Sequence, residues 1–297
     1  MFQTWQNTFN VKQLRIQQIS ARLITQLFFI ALGFLTTAIS HAAPESDLWP
    51  KWQAHDAAST DRVDHDPWQT ILDRYLVTNI VSTEGINRFN YAELAKDQPQ
   101  SAQDRQTLTA YLDRLQDIKV TSLNRNEQMA YWINLYNALT VQRILKDYPV
   151  KSITKLGGFF SFGPWNEKIA QIEGETLTLN DIEHRILRPI WQDYRIHFVV
   201  NCASIGCPQL SSKAYQADTL EAQLEKSAVD FLNHPRAVSL NGGALTLSKL
   251  FEWYQVDFGS NEAEILSLIH QYRPDLNLLK TQIQDIEYFY DWNLNAP

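Results

Sequence analysis

The chain has 297 residues, two cysteines and a formal net charge of −7. An acidic balance argues against a nucleic-acid partner, whose binders present basic stripes. Aromatic side chains make up 12% of the chain, nine of them Trp, which is ample for one large core and requires no second domain.

Lys12, Arg15 and Arg22 are the only charged side chains before Glu45, and they precede the apolar run Leu23 to Ile39. A positive stretch, an apolar stretch and then the Ser-x-Ala pattern of Ser40 to Ala42 read as a signal peptide over residues 1–42, with cleavage expected after Ala42. The competing reading is a membrane anchor, since the run is about 17 residues and the lower limit for a span is also about 17. Thr25, Gln26, Thr36 and Thr37 dilute the run and favour cleavage. Losing three positive and no negative charges takes the formal charge from −7 to −10. The expectation is a periplasmic or secreted protein with no stable membrane anchor after cleavage, and no cysteine follows the site to carry a lipid.

Residues 43–66 are polar and aperiodic and read as a linker or loosely packed arm, with a single globular domain over 67–297. Trp68, Ile71, Leu72, Tyr75 and Leu76 follow the helical period, as do Leu108, Tyr111, Leu112 and Leu115, with a turn and short strand at 85–91 between them. The next helix runs from Asn124 to Lys146, opened by Asn124 and Glu127 at capping-box spacing. Apolar residues occupy most of its circumference, so it is the expected buried central helix. Asn134 and Asn137 lie inside it, where an amide is costly unless paired. Either they tie down the backbone of a neighbouring loop or one of them orients a catalytic group or ligand.

The glycine and aromatic stretch 157–165, ending at Trp165, reads as a shaped surface loop whose rings could wall a ligand cleft. It lacks the Lys-Ser/Thr pair of a nucleotide loop. A hairpin follows over 168–179. Asn180 and Glu183 repeat the capping-box spacing, and His184 and Arg188 fall on one helical face. Residues 196–200 alternate as a short strand, which Asn201 and Cys202 leave by a turn. A helix is expected over 220–232, a second hairpin over 238–247 around Asn241-Gly242-Gly243, short helices from Ser248 and over 261–271, and a closing strand at 286–290. Helices dominate and no βαβ alternation occurs, so the fold class is α+β: a helix-rich single domain around a small antiparallel or mixed sheet with short hairpins.

Cys202 and Cys207 are the only cysteines. In an oxidising compartment they make a disulfide the first hypothesis, either a staple or a labile, redox-active bridge. In the nucleophile reading, Cys202 is a thiolate, His184 its base and Asn134 or Glu127 a support. A metal reading through Cys202, Cys207, His184 and His197 fails on spacing, because cysteines five apart do not match the usual zinc pattern. No metal and no cofactor is nominated. Asn137, Glu183, Arg188, Asn201, Ser204, Cys207 and Trp165 complete the candidate binding set.

Four blocks together resemble DUF547, a domain of unknown function: 131–139 (YWINLYNAL), 179–188 (LNDIEHRILR), 197–208 (HFVVNCASIGCP) and 290–295 (YDWNLN). After the strand the family reads Asn-Cys-Gly/Ala-Ser-x-Ser/Gly-Cys-Pro, which this chain follows through Asn201, Cys202, Ser204, Cys207 and Pro208. The resemblance implies a family spread through bacteria and plants, and it transfers candidate positions but no reaction. Two function classes stand. One is a thiol-dependent hydrolase or acyl transferase acting on a peptide or envelope component. The other is a non-catalytic envelope binding or scaffolding module with a structural Cys202–Cys207 disulfide, holding a small-molecule, peptide or envelope ligand.

Overall fold

The computed structural model describes residues 44–78, 85–158, 161–279, 283 and 285–297. The signal peptide expected over residues 1–42 lies outside the described residues, as do Phe159 and Phe160 of the aromatic loop. In chain order the elements are α1 (Asp66–Tyr75), β1 (Leu76–Val77), β2 (Arg88–Phe89), α2 (Tyr91–Leu94), α3 (Pro99–Gln116) and α4 (Arg125–Lys146). The hairpin β3 (Ala170–Ile172) and β4 (Glu175–Leu177) leads into a π-helical turn, Asp181–Leu187, and α5 (Arg188–Trp191). After α6 (Leu220–Leu232) come β5 (Val238–Asn241), β6 (Ala244–Ser248), α7 (Leu250–Trp253), α8 (Gln255–Phe258), α9 (Glu262–Tyr272) and β7 (Asp285–Phe289). The class is α+β, with two antiparallel two-stranded ribbons and one mixed sheet, β5-β6-β7, in which β6 and β7 are parallel.

Helix α4 is central because it is apolar on nearly every side: Ala130, Tyr131, Trp132, Ile133, Leu135 and Ala138 are all buried. Its start is fixed by Asn124, whose side chain accepts the Glu127 N–H at 3.0 Å. The Glu127 carboxylate is spent elsewhere, on the Val63 N–H at 2.7 Å and on Arg62. That bond is one reason the segment expected to be a loose arm is packed instead. Trp52, Val63 and His65 are buried, and the Trp52 ring meets Trp132 of α4 edge-on at 5.1 Å. Sparse but large apolar residues anchor a segment whose average composition is polar.

Two hydrophobic clusters share the described chain. One surrounds α4; the other fills the space between α6, α7, α8, α9 and the mixed sheet. The segment Tyr194–Phe198 lies where they meet, with Ile196 and Val199 in the first and Phe198 in the second. It is a 3-10 turn, where alternation predicts a strand. Ile196, His197, Phe198, Val199 and Val200 are all buried. Five residues enclosed on every side carry no period that separates a strand from a tight turn.

Candidate functional site

The thiol centre is built from the loop that leaves this turn and from the C-terminal segment. Asn137 of α4 donates to the Val199 carbonyl at 2.9 Å and accepts the Asn201 N–H at 2.8 Å. Asn201 donates from its amide to the Pro208 carbonyl at 2.7 Å and accepts from Ala203 N–H and from Asn295. Ala203 sits at φ 60°, in the left-handed region, which turns the chain sharply between Cys202 and Ser204. Across the loop, Ile205 N–H and Gly206 N–H donate to the carbonyls of Asn293 and Asp291, each at 2.8 Å. At Gly206 a Cβ would meet Asp291 N at 2.8 Å and the Tyr290 ring at 2.9 Å, so only glycine permits the approach that brings Tyr290 to the loop.

Cys202 Sγ and Cys207 Sγ lie side by side, 2.6 Å apart, and the Cys202 N–H points at Cys207 Sγ at 2.9 Å. The hydroxyls of Ser204 and Tyr290 lie 3.1 and 3.0 Å from Cys202 Sγ and 3.0 Å from each other. Burial pushes the Cys202 thiol up, but hydrogen bonds from Cys207, Ser204 and Tyr290 outweigh it and hold the group below its ordinary value. Burial and the adjacent Cys202 hold Cys207 well above its own. Tyr290 is raised well above the usual phenol range by burial and the thiols, so it stays a donor. The two cysteines are thus unequal: Cys202 is the more acidic of the pair, and it is half-buried while Cys207 is buried.

His184 does not join this centre. Its Nδ1 is 3.0 Å from Arg188, its ring stacks on Tyr254, and no hydrogen bond connects it to Cys202 among the described residues. It belongs to a second, ionic cluster on the π-helical turn. There Arg188 Nε and His197 Nε2 each lie 2.6 Å from Asp257 Oδ2, a residue of α8. Glu183 Oε1 is 3.9 Å from Nδ1 of both His184 and His197. Burial drives the Glu183 carboxyl up to about 7, with Arg188 and a hydrogen bond from Tyr136 opposing it. Burial also depresses both imidazoles, His184 strongly. Asp257, despite partial burial, falls to about 2 under its bonds from His197 and Arg188. Tyr136 and Tyr254 feel both Glu183 and the thiols, which places these phenols beside both clusters.

The capping box expected at Asn180 and Glu183 is not formed. Asp181 and Thr178 cap the turn instead: the Asp181 carboxylate accepts from Thr178 N–H and Oγ1, and Asp181 N–H donates back to Thr178 Oγ1. Released from that duty, Glu183 turns inward. A π-helical turn widens the local ladder and is common at functional positions.

Of the other nominated residues, Asn134 forms both its bonds with the peptide of Tyr215, at 2.8 and 3.0 Å, and Glu127 holds the arm. Neither hydrogen-bonds Cys202. Asn137 and Asn201 shape the thiol loop, and Ser204 and Cys207 touch the sulfur. Trp165 is half-buried in a patch of rings with Trp292 at 5.8 Å and Phe162 at 6.2 Å. Trp292 continues it to Tyr290 at 4.6 Å and Trp253 at 5.6 Å. Sequence reasoning did not nominate Asp257 or Tyr290 as site residues. Tyr290 carried a signal, as the first residue of the terminal YDWNLN block; Asp257, 60 positions beyond His197, carried none. Among the described residues, no three His, Cys, Asp or Glu side chains converge as a metal site requires. No helix among them is long and apolar enough to cross a membrane.

Residues 120–232 match the model of a family described as a protein of unknown function, DUF547. The match takes in α4, the π-helical turn and both cysteines. The Tyr290 block and Asp257 lie beyond it. No curated protein and no solved structure matches the chain.

Proposed function

We propose that the DUF547 domain carried by this chain is a thiol–disulfide exchange centre in which Cys202 attacks and Cys207 resolves. The observation that supports it is the placement of Cys207 Sγ directly beside Cys202 Sγ, with the hydroxyls of Ser204 and Tyr290 within hydrogen-bond reach of the Cys202 sulfur. In the reaction, the Cys202 thiolate attacks one sulfur of a substrate disulfide. The Cys202–substrate bond forms as the substrate S–S bond breaks, and the departing sulfur leaves with the electron pair and takes a proton from water. Cys207 then loses its proton to solvent and attacks Cys202 Sγ, expelling the second substrate thiolate. Two electrons have passed to the substrate, and an external dithiol reopens the Cys202–Cys207 bond.

Exchange needs an acidified cysteine with a resolving thiol beside it, and the adjacency of Cys202 and Cys207 supports that pairing. A hydrolase or acyl transferase would use the same Cys202 but needs a base and acid at the sulfur. His184 is engaged with Arg188, and among the described residues the side chains within hydrogen-bond reach of Cys202 Sγ are Cys207, Ser204 and Tyr290. The charge order of residues 1–42 supports work outside the cytoplasm, where disulfides are the available substrates.

The test is alkylation of the reduced mature protein, native and denatured, followed by mass spectrometry of the peptide spanning 202–207, and repeated across a glutathione redox series. Rapid alkylation of Cys202 alone in the native state, with a Cys202–Cys207 disulfide that glutathione reduces, is the expected result. A bridge that survives glutathione would leave the stapled binding module as the better account, and hydrolysis of an ester or peptide abolished by Cys202→Ala but not by Cys207→Ala would leave the hydrolase.

A further inference from the structure

Residues 44–49 run as a mostly exposed strap over the π-helical turn, and Pro189 explains why they are held there. Within the turn the Arg188 N–H donates to the Glu183 carbonyl, five residues back. In that register the partner of the His184 carbonyl would be the N–H of residue 189, and proline has none. The Arg185 carbonyl meets the same proline four residues on, in the register of an α-helix. Both carbonyls are taken by the strap: Asp47 N–H donates to His184 O at 3.0 Å and Trp49 N–H to Arg185 O at 2.9 Å. Donors two residues apart face the same way when a segment is extended, as Trp49 is. Arg185 Nε lies 3.2 Å from Asp47 Oδ2, with its guanidinium 4.5 Å over the Trp49 ring, and Arg188 Nη1 donates to the Pro44 carbonyl at 2.8 Å. Residues 44–48 are exposed, so it is these polar bonds, with the Trp49 ring, that hold the strap.

We propose that the strap and the register of the turn form one two-state latch, in which a seated strap keeps the turn in its π register with Glu183 inside, and a released strap lets the Arg188 N–H move to the His184 carbonyl and the turn tighten to an α-helix. The coupling follows from the geometry, because Asp47 N–H and Arg188 N–H compete for one carbonyl. A shift of one residue in the ladder turns the side chains before it by about 100° around the axis, which re-aims Glu183 and His184. Arg188 links the latch to charge: the guanidinium that holds Pro44 also lies 2.6 Å from Asp257 Oδ2 and 3.0 Å from His184 Nδ1. The groups facing Glu183 are Tyr136 from α4, His184 and Arg188 from its own turn, His197 from the 3-10 turn, Tyr254 between α7 and α8, and Asp257 from α8. While Glu183 keeps its proton, the Arg188–Asp257 pair is the only charge among them. Once Glu183 ionises, at about 7, a buried carboxylate stands beside Asp257. It either draws Arg188 off the Pro44 carbonyl or leaves the enclosure with the turn. Both outcomes unseat the strap, so the latch is closed below about pH 7 and opens above it. Opening uncovers a buried guanidinium and two backbone carbonyls, and none of this depends on the exchange reading of the thiol centre.

The experiment is amide hydrogen exchange of the mature chain from about pH 5 to about pH 8.5, corrected for the intrinsic pH dependence of exchange and read in peptides covering 44–49 and 181–192. Both segments are expected to lose protection together, by about tenfold, while peptides of α4 stay protected. Glu183→Gln, which cannot ionise, should keep both protected at the alkaline end. Asp47→Pro removes the donor on the His184 carbonyl and should give the open pattern at every pH; Leu48→Pro, whose N–H takes no part in the bonds to the turn, should stay closed. The register is read directly by NMR, as a scalar coupling across the hydrogen bond from the Arg188 nitrogen to the carbonyl carbon of Glu183 in the closed form and of His184 in the open form. The pH series and this coupling are measured on the unmutated chain, so neither depends on a variant folding. Strap protection that does not change with pH, or that Glu183→Gln loses as the unmutated chain does, overturns the control by Glu183 and with it the latch. A strap that opens while the Arg188 coupling stays on Glu183 overturns the link between strap and register.

Discussion

Replacing Asn137 by Ala removes the carboxamide that joins α4 to the thiol loop. Two groups lose their partner at once: the Val199 carbonyl, 2.9 Å from Asn137 Nδ2, and the Asn201 N–H, 2.8 Å from Asn137 Oδ1. Both bonds are buried, so neither group regains water, and each unsatisfied group costs about 1–3 kcal/mol. The expected loss is about 2–6 kcal/mol, a large part of the roughly 5–15 kcal/mol that holds a typical domain folded. Asn134→Ala is the matched control, because it also removes two buried bonds, both to the peptide of Tyr215. Urea melts of the two variants should therefore show midpoints lowered to a similar degree. The rate of Cys202 alkylation under native conditions should separate them, changing in Asn137→Ala and staying at the unmutated value in Asn134→Ala. A shift below about 0.5 kcal/mol for Asn137→Ala, or an equal change of thiol rate in the control, would refute the view that Asn137 sets the loop.

Tyr290→Phe removes one donor from the Cys202 sulfur, and a hydrogen bond to a charged group is worth about 1.5–3 kcal/mol; alkylation at neutral pH should slow by about tenfold or more, and an unchanged rate would show that Tyr290 does not hold the thiolate. Glu183 keeps its proton in the folded chain up to about 7, above its unfolded value, so its contribution to stability is full below about pH 4.5 and is lost as pH rises through 7. Glu183→Gln should accordingly gain stability relative to the unmutated protein between pH 5 and pH 8, by an amount on the order of 2–3 kcal/mol, in urea melts at the two pH values; parallel curves would contradict the buried-carboxyl account.

The long helix could be read because its signals are local. Asn124 and Glu127 mark its start and a dense apolar sequence marks its burial, and the structure places Arg125–Lys146 there. The two hairpins, α6 and the closing strand were legible for the same reason, turn residues between short apolar runs. What misled was enclosure. Residues 196–200 touch both hydrophobic clusters, so burial on all sides erased the difference between alternation and a tight turn. At the π-helical turn, the signal Asn180-x-x-Glu183 was outcompeted by Thr178 and Asp181, which form the same reciprocal clasp two positions earlier, on the N–H groups of Thr178 and Asp181. The candidate site was half legible. Cys202, Ser204, Cys207 and Asn201 lie within eight residues and form one loop, but the groups that complete it arrive from α4 and the C-terminal segment, and Asp257 reaches the neighbouring ionic cluster from α8; no spacing along the chain encodes contacts between residues 60 to 90 positions apart.

The polar side chains around the two cysteines divide into those that hold backbone and those that reach sulfur. Asn137, Asn201 and Asn295 direct their amides at loop carbonyls, loop N–H groups or one another, and none contributes a group to the thiol. Ser204 and Tyr290 contribute hydroxyls to the thiol. Such a division matters for exchange chemistry, because a cysteine pair that alternates between bonded and free must change sulfur geometry without unfolding the turn that carries it. The amides fix the turn through groups that are unaffected by the charge on Cys202, while the hydroxyls respond to that charge and can release it when the sulfur becomes covalent. The backbone of the loop and the hydrogen bonds at the Cys202 sulfur are therefore carried by different residues.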